Sequence, residues 1–144
     1  MDPYSSLKLE NQLCFPLYAA AKEVVRLYTP YLDEIGLTYT QYIAMMLVWE
    51  KKEIVVKDLA QRLFLDTGTL TPLLKKLEAK GVVSLTRAPK DKRSVVVALT
   101  PQGQALRNKA AAIPAQVGQC LPLKPQEAQQ LYTTLYKLLG KLTQ

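Results

Sequence analysis

The chain has 144 residues, 49% of them apolar and 22% charged, the balance of an ordinary globular domain rather than of a disordered segment. A formal charge of +7 points to a polyanionic partner, and the absence of histidine excludes Ser-His-Asp catalysis, Cys-His catalysis and every histidine-containing metal site. Cys14 and Cys120 are too few and too far apart for a disulfide framework, and the scattered glycines form no phosphate loop, so no metal or cofactor is expected. The polar N-terminus is unlike a signal peptide, and no apolar run is long enough to span a bilayer; the expectation is a cytoplasmic protein without membrane association.

In chain order, the apolar positions from Leu13 to about Asp33 recur at three- and four-residue steps and predict a helix, with Cys14 at or just before its start and Pro16 close by. Gly36 ends it. Thr38 and Gln41 have the spacing of a capping box and open a second helix. Val56 to Leu63 reads as a short third helix without a polar cap. Asp66-Thr67-Gly68-Thr69 reads as a turn and cap cluster. Leu70, Leu73, Leu74 and Leu77 behind it form the stripe of a fourth helix, closed by Gly81. Pro72 costs that helix one backbone bond if it begins near Thr67, and little if it begins near Thr71.

Val82–Thr86 and Ser94–Leu99 are β-rich runs around a basic tip, the pattern of a hairpin. Thr100-Pro101 caps a fifth helix that runs toward Gly118, and Pro114 must interrupt or kink it. A last helix follows Pro125, with Leu131, Leu135, Leu138 and Leu142 in a heptad-like stripe.

The charge excess is local. From Thr71 to Lys109 there are nine basic residues against Glu78 and Asp91, which accounts for the whole net charge. Three short helices followed by a basic hairpin is the order of a winged helix-turn-helix. The expected fold is mainly α within one chain: six helices and a two-stranded wing. The helices of residues 8–35 and 101–144 would form a dimerisation region, and residues 38–100 a DNA-binding region. Thr67, Thr69, Thr71, Pro72, Lys75 and Lys76 would face the major groove of double-stranded DNA, and the wing would present Arg87, Lys90, Asp91, Lys92 and Arg93. A symmetric homodimer would set two reading helices about one DNA turn apart.

Asp91-Lys92-Arg93, followed by Ser94 and an apolar strand, resembles the D-x-R wing motif of the MarR family of bacterial winged-helix regulators. LENQLCFPLYAAAKE around Cys14 and LFLDTGTLTPLLKKLEAKG resemble the sensor and reading segments of that family's organic hydroperoxide regulators. The nucleophile of a cysteine is its thiolate, and without histidine its support must come from a helix N-terminus and tyrosine hydroxyls. On its own, a cysteine near a helix start reads as an inert buried hydrophobe. The resemblance implies instead that organic hydroperoxides oxidise Cys14 and release a repressor from its operator. It also implies that Tyr28 and Tyr39 of the partner subunit hydrogen-bond to Cys14, with Tyr18 nearby, and that Cys120 is the resolving thiol. Whether the thiols would pair within or between subunits stays open. Two other readings compete: a MarR-type repressor gated by a small aromatic ligand, and a thiol peroxidase using both cysteines.

Overall fold

The computed structural model describes residues 2–144. Two 3-10 turns, Ser5–Leu7 and Leu9–Asn11, lead into α1 (Cys14–Glu34). Cys14 is the first helical residue. Pro16 is the third, and its missing N–H belongs to the first four, which have no acceptor within a helix, so no kink arises there. Gly36, at φ +71°, closes α1. The Leu37 amide then donates to the Leu32 carbonyl at 3.1 Å and the Gly36 amide to that of Asp33 at 3.2 Å, while Leu32 and Leu37 are both buried. This is a Schellman stop with its apolar contact.

The Thr38–Gln41 capping box forms as expected: the Gln41 amide donates to Thr38 Oγ1 at 3.3 Å, and the Thr38 amide to Gln41 Oε1 at 3.1 Å. It opens α2 (Tyr39–Lys51), the central element of the core. A strand, β1 (Glu53–Val55), follows where the sequence suggested only an uncertain helix start, and α3 (Val56–Leu63) begins directly after it. Next come α4 (Thr67–Ala79), β2 (Val83–Arg87) and β3 (Val95–Leu99). The sheet is antiparallel in the order β1-β3-β2, so the expected two-stranded wing has a third strand, with Glu53 opposite Ala98 and Val55 opposite Val96.

Pro101 stands at the first position of α5 (Pro101–Ala110). Pro114 then breaks the helix outright, and α6 (Ile113–Cys120) continues past Gly118 to Cys120. With α7 (Pro125–Leu142), the six expected helices are present, the fifth in two pieces.

Leu32, Tyr42, Met45, Val48, Leu59, Leu70, Leu74, Leu77, Val97, Ile113 and Val117 fill one core. The expected Leu70-Leu73-Leu74-Leu77 stripe is its α4 side. Trp49 Nε1 donates to the Gly103 carbonyl at 2.9 Å and pins α2 to α5. Only the C-terminal end of α1 reaches this core. Its first turns expose Phe15, Leu17 and Tyr18, with Leu13 exposed just before them, and α7 buries none of its residues while exposing Leu131, Tyr132, Tyr136, Leu138 and Leu142.

Candidate functional site

Helix α4 begins at Thr67 because Asp66 caps it: Asp66 Oδ1 accepts from the Thr69 amide at 2.6 Å. That bond holds the Asp66 carboxyl below the usual carboxylate range. The cap cluster therefore makes the first helical turn, and Pro72 lies inside the helix rather than at its start. Its ring removes the amide that would have reached the Gly68 carbonyl. Thr71 Oγ1 donates to the Thr67 carbonyl at 2.7 Å, so this hydroxyl is engaged with the helix itself. Thr67, Thr69, Thr71, Pro72, Lys75 and Lys76 are all exposed, opposite the buried leucines.

The wing tip is built around Asp91. Its Oδ1 accepts from the Arg93 amide at 3.0 Å and its Oδ2 from Ser94 Oγ at 3.2 Å. Arg87 Nη1 donates to the Lys92 carbonyl at 2.7 Å, and the Ala88 amide to that of Ser94 at 2.8 Å. Asp91 and Arg87 thus shape the turn, while Lys90, Lys92 and Arg93 point charge outward from it. The ion pairs among the described residues, Lys8–Asp2, Arg26–Glu23 and Lys51–Glu50, involve none of these cations. A cleft of about 450 Å³ separates the N-terminal half of α4 from the wing, with Lys57, Thr67, Thr71 and Arg93 on its walls.

The thiol region divides between the two ends of α1. Cys14 is exposed at the N-terminal end, so it is not the buried hydrophobe that its type alone suggests. Tyr18, one turn on, is also exposed. Tyr28 and Tyr39 meet at the other end, with ring centroids 5.0 Å apart, and Tyr42 joins them at 5.7 Å from Tyr28. Burial, then Tyr28, pushes the Tyr39 phenol up, and burial, Tyr28 and Tyr39 do the same to Tyr42; both stay protonated hydrogen-bond donors at neutral pH. At about 1.5 Å per residue, Cys14 lies about 21 Å along the helix from Tyr28. Within one chain, then, Cys14 and the Tyr28–Tyr39 pair are not brought together.

Cys120, exposed at the end of α6, sits at the tyrosine end. Tyr31 Oη is 3.9 Å from Cys120 Sγ, and Cys120 Sγ donates to the Gln116 carbonyl at 3.4 Å. The hydrogen bond with Cys120, together with its charge, pushes the Tyr31 phenol up. Tyr31 and Tyr42 were not among the sequence-derived site residues; the trace of Tyr31 is its spacing, one turn from Tyr28. Lys80, which closes α4, donates to the Gly36 carbonyl and to Gln41 Oε1, the latter at 3.3 Å. It ties the end of the reading helix to the turn that carries Tyr39.

A cationic helix face beside a basic, stiffened hairpin defines a winged helix-turn-helix protein. Comparison with known proteins narrows the class. Residues 26–110 match the family described as transcriptional regulator SarA/Rot. The organic hydroperoxide resistance transcriptional regulator of Bacillus subtilis is 42% identical over 143 residues, covering 99% of this chain and 97% of that protein. AbfR of Staphylococcus epidermidis, overoxidised and bound to DNA, is 31% identical with a TM-score of 0.77 over 98% of this chain and 99% of that one. Reduced AbfR on DNA also gives 0.77, at 32% identity and 95% coverage of each chain; the disulfide form gives 0.61, at 31% identity over 96% and 92%. A cysteine-to-serine mutant of MarR from E. coli, complexed with operator DNA, superposes with a TM-score of 0.82 at 27% identity over 96% and 99%. The chain belongs to the SarA/Rot family of transcriptional regulators, within the MarR-type winged-helix proteins.

Proposed function

We propose that this chain is a redox-sensing transcriptional repressor that binds double-stranded operator DNA as a homodimer and leaves it when organic hydroperoxides oxidise Cys14. The observation that carries the reading is the division of α1, with an exposed thiol at one end and a tyrosine cluster with a second thiol at the other. Two copies with their α1 helices antiparallel bring each Cys14 to the partner's Tyr28 and Tyr39. The unpartnered apolar side chains on α1 and α7 supply the surface for that pairing, so residues 8–35 and 101–144 form the dimerisation region around the α5–α6 core contacts. Residues 38–100 hold the reading helix and wing. Thr67, Thr69, Lys75 and Lys76 face the major groove, and Lys90, Lys92 and Arg93 meet phosphates.

The chemistry is stoichiometric. The Cys14 thiol takes an oxygen from ROOH to give a sulfenic acid and ROH. The thiol of Cys120 then displaces that oxygen as water and forms the disulfide. Within one chain the two thiols lie far beyond the about 7 Å between Cα atoms that a disulfide allows, so the bridge runs between subunits. AbfR has been captured on DNA when overoxidised, while its disulfide form superposes less well on this chain than its DNA-bound forms do. The capture of overoxidised AbfR on DNA supports the covalent bridge, rather than loss of the thiol alone, as the event that moves the reading heads.

The test is operator binding together with non-reducing electrophoresis, with and without stoichiometric cumene hydroperoxide. The expected result is a covalent dimer that forms as DNA is released and that dithiothreitol reverses, with Cys14→Ser remaining on DNA. Release of Cys14→Ser by peroxide defeats the proposal.

A further inference from the structure

We infer that Tyr31 is a positioning residue for the resolving thiol, its hydroxyl aiming Cys120 at the place where the partner's oxidised Cys14 arrives. The inference rests on the two-cysteine reading above and adds a residue to it.

Cys120 is the last residue of α6, and extended chain follows at Leu121. A side chain at such a terminus has no helical neighbour beyond it to fix its rotamer. Two contacts do so. The thiol hydrogen is directed to the Gln116 carbonyl, one turn back on α6, at 3.4 Å. That leaves a sulfur lone pair for the Tyr31 hydroxyl, at 3.9 Å. The first contact belongs to α6 alone. The second crosses from α1, over 89 residues of sequence, and so registers the thiol against the helix that carries the sensor cluster.

Its place on α1 gives the contact direction. Tyr31 follows Tyr28 by three residues and lies on the same face. Tyr28 in turn packs against Tyr39, with the two rings tilted by 60°. Cys120 is therefore held one helical turn from the pair that receives the partner's Cys14.

The step Tyr31 assists balances without another reagent. The Cys120 sulfur bonds to the Cys14 sulfur, the S–OH bond of the sulfenic acid breaks, and the hydroxyl leaves as water with the Cys120 proton. Tyr31 takes no part in that exchange. It limits the directions from which Cys120 approaches, and it gives up its contact as the new bond forms.

Tyr31→Phe keeps the ring and removes only the hydroxyl. The two chemical steps are read separately on the full dimeric protein after a single addition of cumene hydroperoxide: sulfenic acid by trapping with dimedone, and disulfide by quenched-flow sampling onto non-reducing gels. The expected result is sulfenic acid appearing at the wild-type rate, disulfide forming about fivefold more slowly, and a longer-lived dimedone-reactive species, with reduced-state operator affinity unchanged. That split sets a positioning role apart from a general loss of structure, which slows both steps and weakens DNA binding. Disulfide formation at the wild-type rate in Tyr31→Phe overturns the inference and leaves the two-cysteine mechanism standing. Wild-type protein that forms sulfenic acid but no disulfide defeats the two-cysteine mechanism itself.

Discussion

Gly103 is where one atom decides whether the wing and the helices fit together. A Cβ there would lie 2.1 Å from the Val82 carbonyl oxygen and 2.7 Å from Leu99 Cδ1. Backbone cannot give way as a flexible side chain can. The same residue accepts from Trp49, and its amide donates to the capping hydroxyl of Thr100 at 3.0 Å. Thr100 Oγ1 passes the connection on, donating to the Gly81 carbonyl at 2.6 Å. Gly103→Ala should cost ~3 kcal/mol by overpacking, measured as a lowered urea midpoint in reduced protein. A change below about 1 kcal/mol would mean that α5 shifts freely on the sheet. Nearby, the Cys120 contact pushes the Tyr31 phenol up, and burial does the same to Tyr39 and Tyr42, so each is a neutral donor at physiological pH.

Among the elements, the wing separates shape from charge. Asp91 and Arg87 hold the turn, and Arg93 and Lys92 supply cationic reach. Arg93→Ala should weaken operator binding and reduce the slope of log K against log salt by about one unit. Asp91→Ala adds a unit of positive charge and yet should also weaken binding, because the tip loses its internal bonds; tighter binding in Asp91→Ala would show that charge outweighs shape. Most elements were legible because their causes are local. The leucine stripe of α4, the Thr38–Gln41 box and the Thr100-Pro101 start each lie within a few residues of sequence. Strand β1 was not, because three residues carry too little alternation and their partners on β3 are far along the chain. The start of α4 turned on whether Asp66 caps or merely turns, a matter of one hydrogen bond. Cys14, Tyr28 and Tyr39 could be marked by resemblance, but the Tyr31–Cys120 contact joins α1 to α6 and leaves no local pattern. The link from Lys80 to Gly36 and Gln41 is of the same long-range kind.

Across the subunit as a whole, the length of α1 sets the logic of the proposed switch. Cys14 and Cys120 lie too far apart to meet in one chain, so the proposed bridge needs two. Subunit mixing checks this. Dimers made from Cys14→Ser and Cys120→Ser chains carry one complete pair, and peroxide should give one covalent link per mixed dimer, whereas neither variant cross-links alone. Cross-linking at wild-type yield in either parent would place the bond elsewhere. The separation has a further consequence for what the protein can report. On the proposed mechanism a solitary subunit can be oxidised yet cannot close the bridge between subunits, and its sulfenic acid is left to reversible capping by small thiols or to further oxidation. Below the concentration at which subunits pair, the same peroxide dose therefore yields capped or overoxidised chains in place of the covalent dimer. On that mechanism the abundance of the regulator, not only the strength of the oxidant, sets how much of an oxidation event is stored in its own two thiols.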